Sequence, residues 1–282
     1  MNKQSEEYGM KNSKQLMLMF AMIMMMTILA ACGTSNNDSA NDKETANGDE
    51  KKVLTMGTSA DYPPFEYVET SKSDEIIGFD IDVAKAITEK LGYEFKVKDI
   101  DFNGLVPSLE NGTVDFVLAG MSPTEERKKT VDFSDIYYKS NHMIVTKADS
   151  KIKGAKDLKG ATVGVQLASI QEGIAKDLKK DGIDLTIENR NRIPDLVQEI
   201  KAGRFDAAII EDTVAKGYLK DNPDLAGYLI ESDTKTEEAG SAIAFQKDSE
   251  LTEKFNTELK KMMENGELEK LILKWFGGET AE

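Results

Sequence analysis

Apolar residues form one nearly unbroken block near the start of the chain and afterwards recur in short groups. The block covers residues 16–31, whereas a helix that spans a bilayer needs about 20 apolar residues. Lys11 and Lys14 precede the block and small residues end it, which is the arrangement of a secretory signal. Acidic residues close to Met1 fit such a signal poorly, so Met10 is an alternative start of translation.

Residues 33–52 separate this block from the rest of the chain. They are rich in Asn, Asp, Ser and Gly and show no apolar periodicity. A segment of this kind buries too little apolar surface to offset the entropy of ordering it. We therefore predict a disordered tether here and folded structure from about Val53 onward.

The next part of the chain alternates between strand and helix patterns. The segment 61–65 is predicted to be a loop, because its two prolines cannot continue a central strand. Asp80 and Gly92 are predicted to be the N-cap and the C-terminal stop of the first helix. The predicted strands are residues 53–57, 93–97 and 115–120, and the predicted helices begin near residues 81 and 105.

A second series of the same kind begins after Lys147. The predicted strands are residues 161–165, 185–188 and 206–210, and the predicted helices are residues 169–180, 194–202 and a segment from 213. The tail adds a strand at 243–245 and a helix at 249–264. Two strand–helix series with a returning tail predict an α/β fold of two lobes, with mostly parallel sheets and helical crossovers. We place the two connections between the lobes near residues 140 and 234.

Composition excludes several classes of function. The formal net charge is -15, which argues against a nucleic-acid-binding protein because such proteins show basic patches. Cys32 is the only cysteine and His142 the only histidine, so a disulfide within the chain is impossible. A Cys/His metal site needs three or four ligands and is excluded as well. We therefore predict no metal and no cofactor, and a Ser-His-Asp triad would have to use His142.

Ser122 and Arg127 follow a predicted strand and together suggest an anion site. Ser122 with Glu125 fits a capping box, and Pro123 suits the first position of a helix. The helix N-terminus would then direct free N–H groups and its positive dipole end toward a ligand above the strand. Arg127 lies one turn later, and the geometry of its planar guanidinium group suits a carboxylate. The alternative is an ordinary capped helix with a solvent-exposed arginine.

Polar residues also follow two strands of the second series. Ser169 and Glu172 form another capping box, so a second helix N-terminus could approach the same carboxylate. Asp212 follows the strand 206–210, at the sheet edge where ligands bind in open α/β folds, and could pair with an ammonium group. Glu211 beside it is a weaker candidate. Ordinary helix capping is the alternative for Ser169 and Asp212.

Two aromatic residues, Tyr62 and Phe102, lie in predicted loops of the first series. Aromatic rings on loops can form a slot for an aliphatic stem or a cation. Packing in the core is the alternative for both.

The apolar block ends in Leu29-Ala30-Ala31-Cys32-Gly33, which resembles the lipobox of bacterial lipoproteins. The resemblance implies that Cys32 is lipidated and becomes the mature N-terminus. The protein would then be attached to the outer face of the cell membrane, as in Gram-positive bacteria, with the rest of the chain outside. A chance cysteine beside an ordinary cleavage site is the alternative.

The folded region as a whole resembles the family 3 extracellular solute-binding proteins, the polar amino-acid receptors of ABC transporters. The resemblance covers about residues 53–277, and its specificity comes from the order and spacing of several motifs, each of which is weak alone. The motifs are GTSADYPPFEY (57–67), IIGFDIDVAKAI (76–87), DFNGLVPSLENGTVDFVLAGMSPTEERKKTVDFSDIYY (101–138), DLKGATVGVQLASIQE (157–172), IKAGRFDAAIIEDTVAKGYL (200–219) and KWFG (274–277).

The resemblance assigns roles to individual positions. Arg127 matches the arginine that grips the α-carboxylate of the ligand, and Asp212 matches the acid that binds its α-ammonium group. The other matching positions are Ser122, for backbone and hydroxyl contacts; Gly120, for a backbone carbonyl facing the ammonium group; Ser169 and Ile170, for backbone donors to the carboxylate; Tyr62 and Phe102, for aromatic rings flanking the side chain; and Gln171 and Ser59, which vary with the ligand.

The acidic and aromatic loop from Asp61 to Glu66 resembles that of Gram-positive arginine, lysine and histidine receptors. It implies a basic amino acid as the ligand and adds Glu66 to the site. Ser59 departs from the aspartate that some receptors for basic amino acids carry there, so a receptor for glutamine or another polar amino acid stays open. A small-acid dehydratase using Glu211 or His142, and a sensor module, are the remaining alternatives.

The resemblance also implies the organisation and partners of the protein. The fold would be the type II periplasmic-binding-protein-like fold, with two lobes joined by a two-strand hinge. The expected partners are a free amino acid, the permease subunits of an ABC transporter and the membrane through the lipid anchor, and we expect a monomer with no enzymatic activity and no bound nucleic acid. The expected segments are a signal peptide (1–31), the tether (32–52), lobe 1 (53–139 and 235–279) and lobe 2 (140–234).

Overall fold

A computed structural model describes residues 52–230 and 240–277 of the chain. The predicted signal peptide, Cys32 and nearly all of the tether lie outside the described residues. No helix within the two described ranges combines the length and the apolar character that crossing a membrane requires.

The strands and helices follow one another in the alternating order that the apolar pattern predicts. In chain order the strands are β1 (Val53–Thr58), β2 (Asp61–Tyr62), β3 (Glu66–Val68), β4 (Ile76–Ile77), β5 (Glu94–Asp99), β6 (Phe116–Val117), β7 (Val131–Lys139), β8 (His142–Lys147), β9 (Thr162–Gln166), β10 (Thr186–Arg190), β11 (Ala207–Glu211), β12 (Leu225–Leu229) and β13 (Gly240–Gln246). The helices are α1 (Phe79–Lys90), α2 (Leu105–Glu110), α3 (Ile170–Lys180), α4 (Ile193–Lys201), α5 (Asp212–Asp221), α6 (Glu250–Glu264) and α7 (Glu267–Phe276).

Two five-stranded sheets form the centres of the two lobes. The sheet of lobe 1 has the strand order β5-β1-β6-β13-β7, and the sheet of lobe 2 has the order β10-β9-β11-β8-β12. In lobe 1, β1 pairs in parallel with β5 and β6, whereas β13 is antiparallel to β6 and β7. In lobe 2, β9 is parallel to β10 and β11, whereas β8 is antiparallel to β11 and β12. The fold is thus α/β with two lobes, and its sheets are mixed rather than mostly parallel.

Among the antiparallel strands of the two large sheets, the periodicity gave no prediction for β7, β8 and β12, whereas β13 was predicted at 243–245. Strand–helix repeats identify strands that are joined by helical crossovers, and such strands run parallel. Strands β7, β8 and β12 are not each followed by a long helix, so this rhythm does not reveal them. The chain passes from lobe 1 to lobe 2 at Ser140 and Asn141, between β7 and β8. The return connection that we predicted near residue 234 lies outside the described residues.

The first helix begins two residues earlier than predicted, and Asp80 is not its N-cap. Helix α1 starts at Phe79 with Gly78 as the N-cap. Its first N–H groups donate to the backbone carbonyls of Pro64 and Phe65, so no side-chain cap is needed there. The Asp80 carboxylate lies inside the first turn and is completely buried. Gly92 follows the helix at a positive φ of 74°, so the predicted stop is confirmed.

The segment 61–65 contains a short strand where a loop was predicted. Strand β2 pairs antiparallel with β3, and β3 pairs with β4, to form a small three-stranded sheet at the edge of lobe 1. The two prolines occupy the turn between β2 and β3, where a missing N–H group does not interrupt a ladder. This arrangement fixes Asp61 and Tyr62 at the lobe boundary.

Gly78 provides a test of how lobe 1 is assembled. Its φ of 141° lies in a region that only glycine adopts readily, and a Cβ built on it would lie 2.1 Å from the carbonyl oxygen of Phe65. We expect Gly78→Ala to lower the free energy of unfolding by more than about 3 kcal/mol, measured by urea denaturation. The control is Gly173→Ala within α3, where a Cβ meets nothing within 4 Å, and it should raise stability by about 1 kcal/mol. Equal effects of the two substitutions would contradict this account.

Candidate functional site

A narrow cavity lies between the two lobes, at the ends of strands from both sheets. Its volume is about 20 Å³, which is about the space of one water molecule. The narrow cavity alone is therefore smaller than an amino acid. The lining residues that were predicted are Tyr62, Phe102, Gly120, Ser122, Arg127, Ser169, Ile170 and Gln171, with Glu211 as the weaker of two acidic candidates; those that were not assigned to the ligand site are Ala119, Ser140, His142 and Gln166.

A much larger cavity of about 1190 Å³ adjoins the narrow one. The two cavities share Phe102, Arg127 and Ser169 among their lining residues. The wide cavity is bounded by both lobes as well. It is the broad part of the cleft that leads to the narrow cavity on the side of Arg127.

The helix that was predicted to begin at Ser122 does not form. Residues 121–124 have no regular structure, and a short 3-10 turn follows at Arg127–Lys129. The Thr124 hydroxyl accepts a hydrogen bond from the N–H of Arg127, at 3.3 Å. Because strand β7 already begins at Val131, the intervening segment is too short for a stable helix. A helix dipole therefore contributes nothing here, and the positive charge that this segment brings to the narrow cavity is that of Arg127.

The Arg127 guanidinium group reaches across the cleft. One of its terminal nitrogens donates to the carbonyl of Ser122 in lobe 1, at 2.8 Å, and the other donates to the carbonyl of Ala168 in lobe 2, at 2.9 Å. Its Cζ atom lies 5.3 Å from the centre of the Phe102 ring. Burial lowers the pKa of Arg127 to about 10, so the group is still charged at neutral pH. A guanidinium group has five N–H donors, and those left over can bind an anion.

The second predicted helix start is confirmed. Ser169 is the N-cap of α3, and its hydroxyl accepts a hydrogen bond from the N–H of Glu172, at 3.2 Å. The N–H and the hydroxyl of Ser169 both donate to the carbonyl of Gln166, so Ser169 has no donor left for a ligand. The N–H groups of Ile170 and Gln171 open the helix and have no partner within it. These two groups are therefore the donors that α3 offers to the cavity.

Glu211 is the acidic residue of the cavity. It is the last residue of β11 and the N-cap of α5, where its Oε2 atom accepts a hydrogen bond from the N–H of Val214 at 3.0 Å. Its Oε1 atom is buried and has no hydrogen-bond partner. Burial, aided by the nearby charge of Asp212, raises the pKa of Glu211 to about 8. An unpartnered buried carboxyl oxygen is costly, and a cation in the cavity would remove that cost.

Asp212, which was predicted to bind the ligand, is not among the residues that line the narrow cavity. Its carboxylate accepts hydrogen bonds from the N–H of Asn141, at 2.9 Å, and from the ammonium group of Lys216, at 3.1 Å. Burial alone would raise the pKa of Asp212, but these two partners outweigh burial and hold it below its ordinary value. The N–H of Asp212 also donates to the carbonyl of Asn141. Asp212 therefore fixes the connection between the lobes, and Glu211 rather than Asp212 is the N-cap of α5.

Tyr62 and Gly120 form a tightly packed part of the wall in lobe 1. A Cβ built on Gly120 would lie 2.9 Å from the Tyr62 ring, and Gly120 has a positive φ of 54°. The N–H of Gly120 donates to the Asp80 carboxylate at 2.9 Å, and the Tyr137 hydroxyl donates to the other oxygen at 2.8 Å. Asp80 thus holds the backbone at Gly120 from behind.

His142 and Gln171 form the wall in lobe 2 beside Glu211. The side-chain amide of Gln171 lies 3.4 Å from Nδ1 of His142. Burial lowers the pKa of His142 to about 4, so the imidazole is neutral at pH 7. This wall therefore offers hydrogen-bonding groups without charge.

Ser59 and Glu66 do not line the narrow cavity. The Ser59 hydroxyl donates to Asp61 at 3.0 Å. Glu66 is completely buried behind the wall, and neither of its oxygens has a hydrogen-bond partner. Burial, and then the neighbouring Asp80, raise the pKa of Glu66 well above its ordinary value, which keeps the group neutral. The position of Glu66 in the sequence predicted a ligand contact, but its side chain points into the interior of lobe 1.

Within residues 52–230 and 240–277, no group of three or more His, Cys, Asp or Glu side chains is arranged to hold a metal ion.

Comparisons with known proteins show the family of the chain. Residues 54–278 match the family described as bacterial extracellular solute-binding proteins, family 3. The chain is 61% identical over 251 residues to the arginine-binding extracellular protein ArtP of Bacillus subtilis (strain 168), and the match covers 89% of this chain and 93% of ArtP.

Two solved structures also resemble the chain. An ancestral arginine-binding protein bound to arginine matches with a TM-score of 0.73 and 40% identity, over 80% of this chain and 99% of that one. It was also solved bound to glutamine. The arginine-, lysine-, histidine-binding protein ArtJ of Geobacillus stearothermophilus matches with a TM-score of 0.74 and 33% identity, over 82% of this chain and 97% of that one.

The buried carboxyl of Glu211 makes stability depend on pH. Its pKa of about 8 in the folded protein exceeds the ordinary value of 4.5, so the folded state retains a proton that the unfolded chain loses. The protonated Glu211 carboxyl therefore contributes fully to the free energy of unfolding below about pH 4.5, and this contribution is lost as the pH rises toward 8. We expect Glu211→Gln, which stays neutral, to gain stability relative to the wild type between pH 5 and 8, by up to about 1.4 kcal/mol per pH unit.

The measurement is urea unfolding of the ligand-free protein at several pH values. Asp212→Asn is the matched control, because the pKa of Asp212 is lowered rather than raised. The ionised Asp212 carboxylate stabilises the folded state fully at every pH above the ordinary pKa of an aspartate. Asp212→Asn should therefore lower the free energy of unfolding by a constant amount from pH 5 to 8. A constant difference between the wild type and Glu211→Gln over the same range would show that Glu211 is not buried as described.

Proposed function

The chain belongs to the bacterial extracellular solute-binding proteins of family 3, and on that basis we propose that it captures L-arginine between its two lobes for an ABC importer. The observation that carries this proposal is that one cavity is lined by a cationic group and by an acidic group whose free oxygen has no partner. Arg127 and Glu211 both line it, and the Oε1 atom of Glu211 is buried without a partner. A free amino acid carries an anionic and a cationic group on neighbouring atoms, so it is complementary to both.

The α-carboxylate of the ligand would bind the guanidinium group of Arg127. The N–H groups of Ile170 and Gln171, at the positive end of α3, would add hydrogen bonds to the same group. Charge-assisted hydrogen bonds of this kind are about twice as strong as neutral ones. This end of the ligand would be recognised in the same way for every amino acid.

The α-ammonium group of the ligand would bind the free oxygen of Glu211. A cation there stabilises the ionised carboxylate, so Glu211 would lose its proton when the ligand binds. Glu211 belongs to lobe 2, whereas Arg127 belongs to lobe 1. A ligand that contacts both has a higher affinity for the closed arrangement and shifts the equilibrium toward it.

The side chain of the ligand would lie between Tyr62 and Phe102. Both rings line the narrow cavity, and a planar guanidinium group stacks favourably on aromatic faces. ArtP and ArtJ are named for basic amino acids, which favours arginine. Glutamine is the second candidate, because a related ancestral protein was solved with it.

We interpret the site as one for binding rather than catalysis. The dehydratase alternative requires an acid or a base in the cleft, and Glu211 and His142 are the available groups. Glu211 caps α5, and His142 lies within 3.4 Å of Gln171, so both have structural partners in the wall. Recovery of unchanged arginine after prolonged incubation with the protein is the expected result for a receptor.

The first test is arginine binding measured by isothermal titration calorimetry. We expect Arg127→Ala and Glu211→Gln each to weaken binding by more than about 30-fold, because each leaves one charge of the ligand unpaired in a buried site. Asp212→Asn is the control next to Glu211 in sequence, and its affinity should stay within about threefold of the wild type. Far-UV circular dichroism and thermal unfolding show whether each variant is folded. Strong binding by folded Glu211→Gln, with loss in Asp212→Asn, would reverse the assignment.

We further propose that the protein acts as a monomer, is anchored through a lipid on Cys32 and delivers its ligand to permease subunits. Cys32 lies outside the described residues, and the proposal rests on the lipobox-like sequence that ends the apolar block. A thioether-linked lipid at that position holds a protein at a membrane surface. We expect Cys32→Ser to move the protein from the membrane fraction of a Gram-positive host to the culture medium. An unchanged distribution between the two fractions contradicts the anchor.

A further inference from the structure

We propose that Arg192 holds the two lobes together from outside the ligand cavity, and so sets the affinity for all ligands by a common factor. Arg192 lies directly before α4, in lobe 2. Neither it nor its partners line the narrow or the wide cavity. The inference rests on the proposed function, because its main test measures the affinity for amino acids.

The contacts of Arg192 all cross to lobe 1. Its Nε atom donates to Asp101 at 2.6 Å, and one terminal nitrogen donates to Asp99 at 2.8 Å. The same nitrogen lies 3.9 Å from an oxygen of Asp61 and 3.4 Å from the Ser59 hydroxyl. One guanidinium group thus faces three carboxylates that belong to the opposite lobe.

Neighbouring residues reinforce this contact. The side-chain amide of Asn191 donates to the second oxygen of Asp101 at 3.0 Å. The N–H of Ile193, at the start of α4, donates to Asp61 at 2.7 Å, and the Tyr218 hydroxyl donates to the carbonyl of Asp61 at 3.0 Å. We call these residues, together with Arg192, Asp61, Asp99 and Asp101, the lobe latch.

The latch stabilises the closed arrangement specifically, because its contacts cannot form when the lobes are apart. In an open form the three carboxylates of lobe 1 would face one another without Arg192. Asp61 is only 8% exposed, whereas Asp99 and Asp101 are 46% and 43% exposed. An isolated exposed ion pair adds little, but several charges in one network with a buried member add more. Closing the lobes therefore brings a favourable interaction that is independent of any ligand.

Such a contact changes affinity without changing selectivity. The apparent Kd of a ligand equals its intrinsic Kd divided by the fraction of protein in the competent conformation. A residue that acts only on that fraction must change the Kd of every ligand by the same factor. A residue that touches the ligand, such as Arg127 or Phe102, would instead change the ratio between ligands.

The expected results concern Arg192→Gln in the intact protein. We expect the Kd for L-arginine and the Kd for L-lysine to rise by the same factor, roughly 5- to 50-fold. Asp101→Asn should raise both values as well, and the double variant should do little more than Arg192→Gln alone, because the two residues act through one contact. Small-angle scattering of ligand-free Arg192→Gln should give a larger radius of gyration than the ligand-free wild type.

Arg204→Gln is the matched control. Arg204 is 64% exposed and pairs with Glu199 within lobe 2, so its loss should leave both Kd values within about twofold of the wild type. The proposal is overturned if folded Arg192→Gln binds with wild-type affinity, or if the ratio of the two Kd values changes. If neither amino acid binds to the wild type, the proposed function fails, and the scattering comparison of ligand-free proteins still decides the role of Arg192.

Discussion

Charged side chains are buried where the two lobes meet, and the protein satisfies them unequally. Arg127 has carbonyl partners on both sides of the cleft, whereas one oxygen of Glu211 has none. A buried carboxyl oxygen without a partner is costly, and the same oxygen with a complementary ligand is not. In the closed arrangement Glu211 therefore lacks one hydrogen-bond partner, which an ammonium group can supply. The lobe latch around Arg192 supplies a contribution to closure that needs no ligand, so the two effects together decide how tightly a ligand is held.

The position of the cavity follows from the sheets behind it. Strand β11 ends at Glu211, and α3 begins directly after the turn that follows β9, so both present polar groups at one edge of the same sheet. A second layer of buried carboxylates fixes the backbone at the rim. Asp212 holds the connection at Asn141, and Asp80 holds Gly120 beside Tyr62. The groups that line the narrow cavity are thus kept in place by acidic residues that do not line it.

The sequence predicts the elements well where local patterns determine them. Helix α3 has helical spacing and a Ser169–Glu172 cap, and both are confirmed in the structure. The capping pattern at Ser122 misled the prediction, because β7 begins too soon after it for a helix to form. Glu211 lines the narrow cavity and Asp212 does not, and the sequence could not distinguish the two because β11 ends one residue later than predicted. Arg192 gave no local signal at all, since its partners Asp99 and Asp101 are about 90 residues away in the sequence.

The strand order of lobe 1 has a consequence for how the chain matures. Strand β13 lies between β6 and β7, although it follows all of lobe 2 in the sequence. During synthesis or export from the N-terminal end, the sheet of lobe 1 lacks its strand β13 until residues 240–246 emerge. The facing edges of β6 and β7 are unpaired until then. Lobe 2 has all five of its strands within residues 142–229, so it can be complete before lobe 1 is closed. Unpaired strand edges invite association with other chains, so lobe 1 is the half of the molecule that is exposed to misassembly for longest.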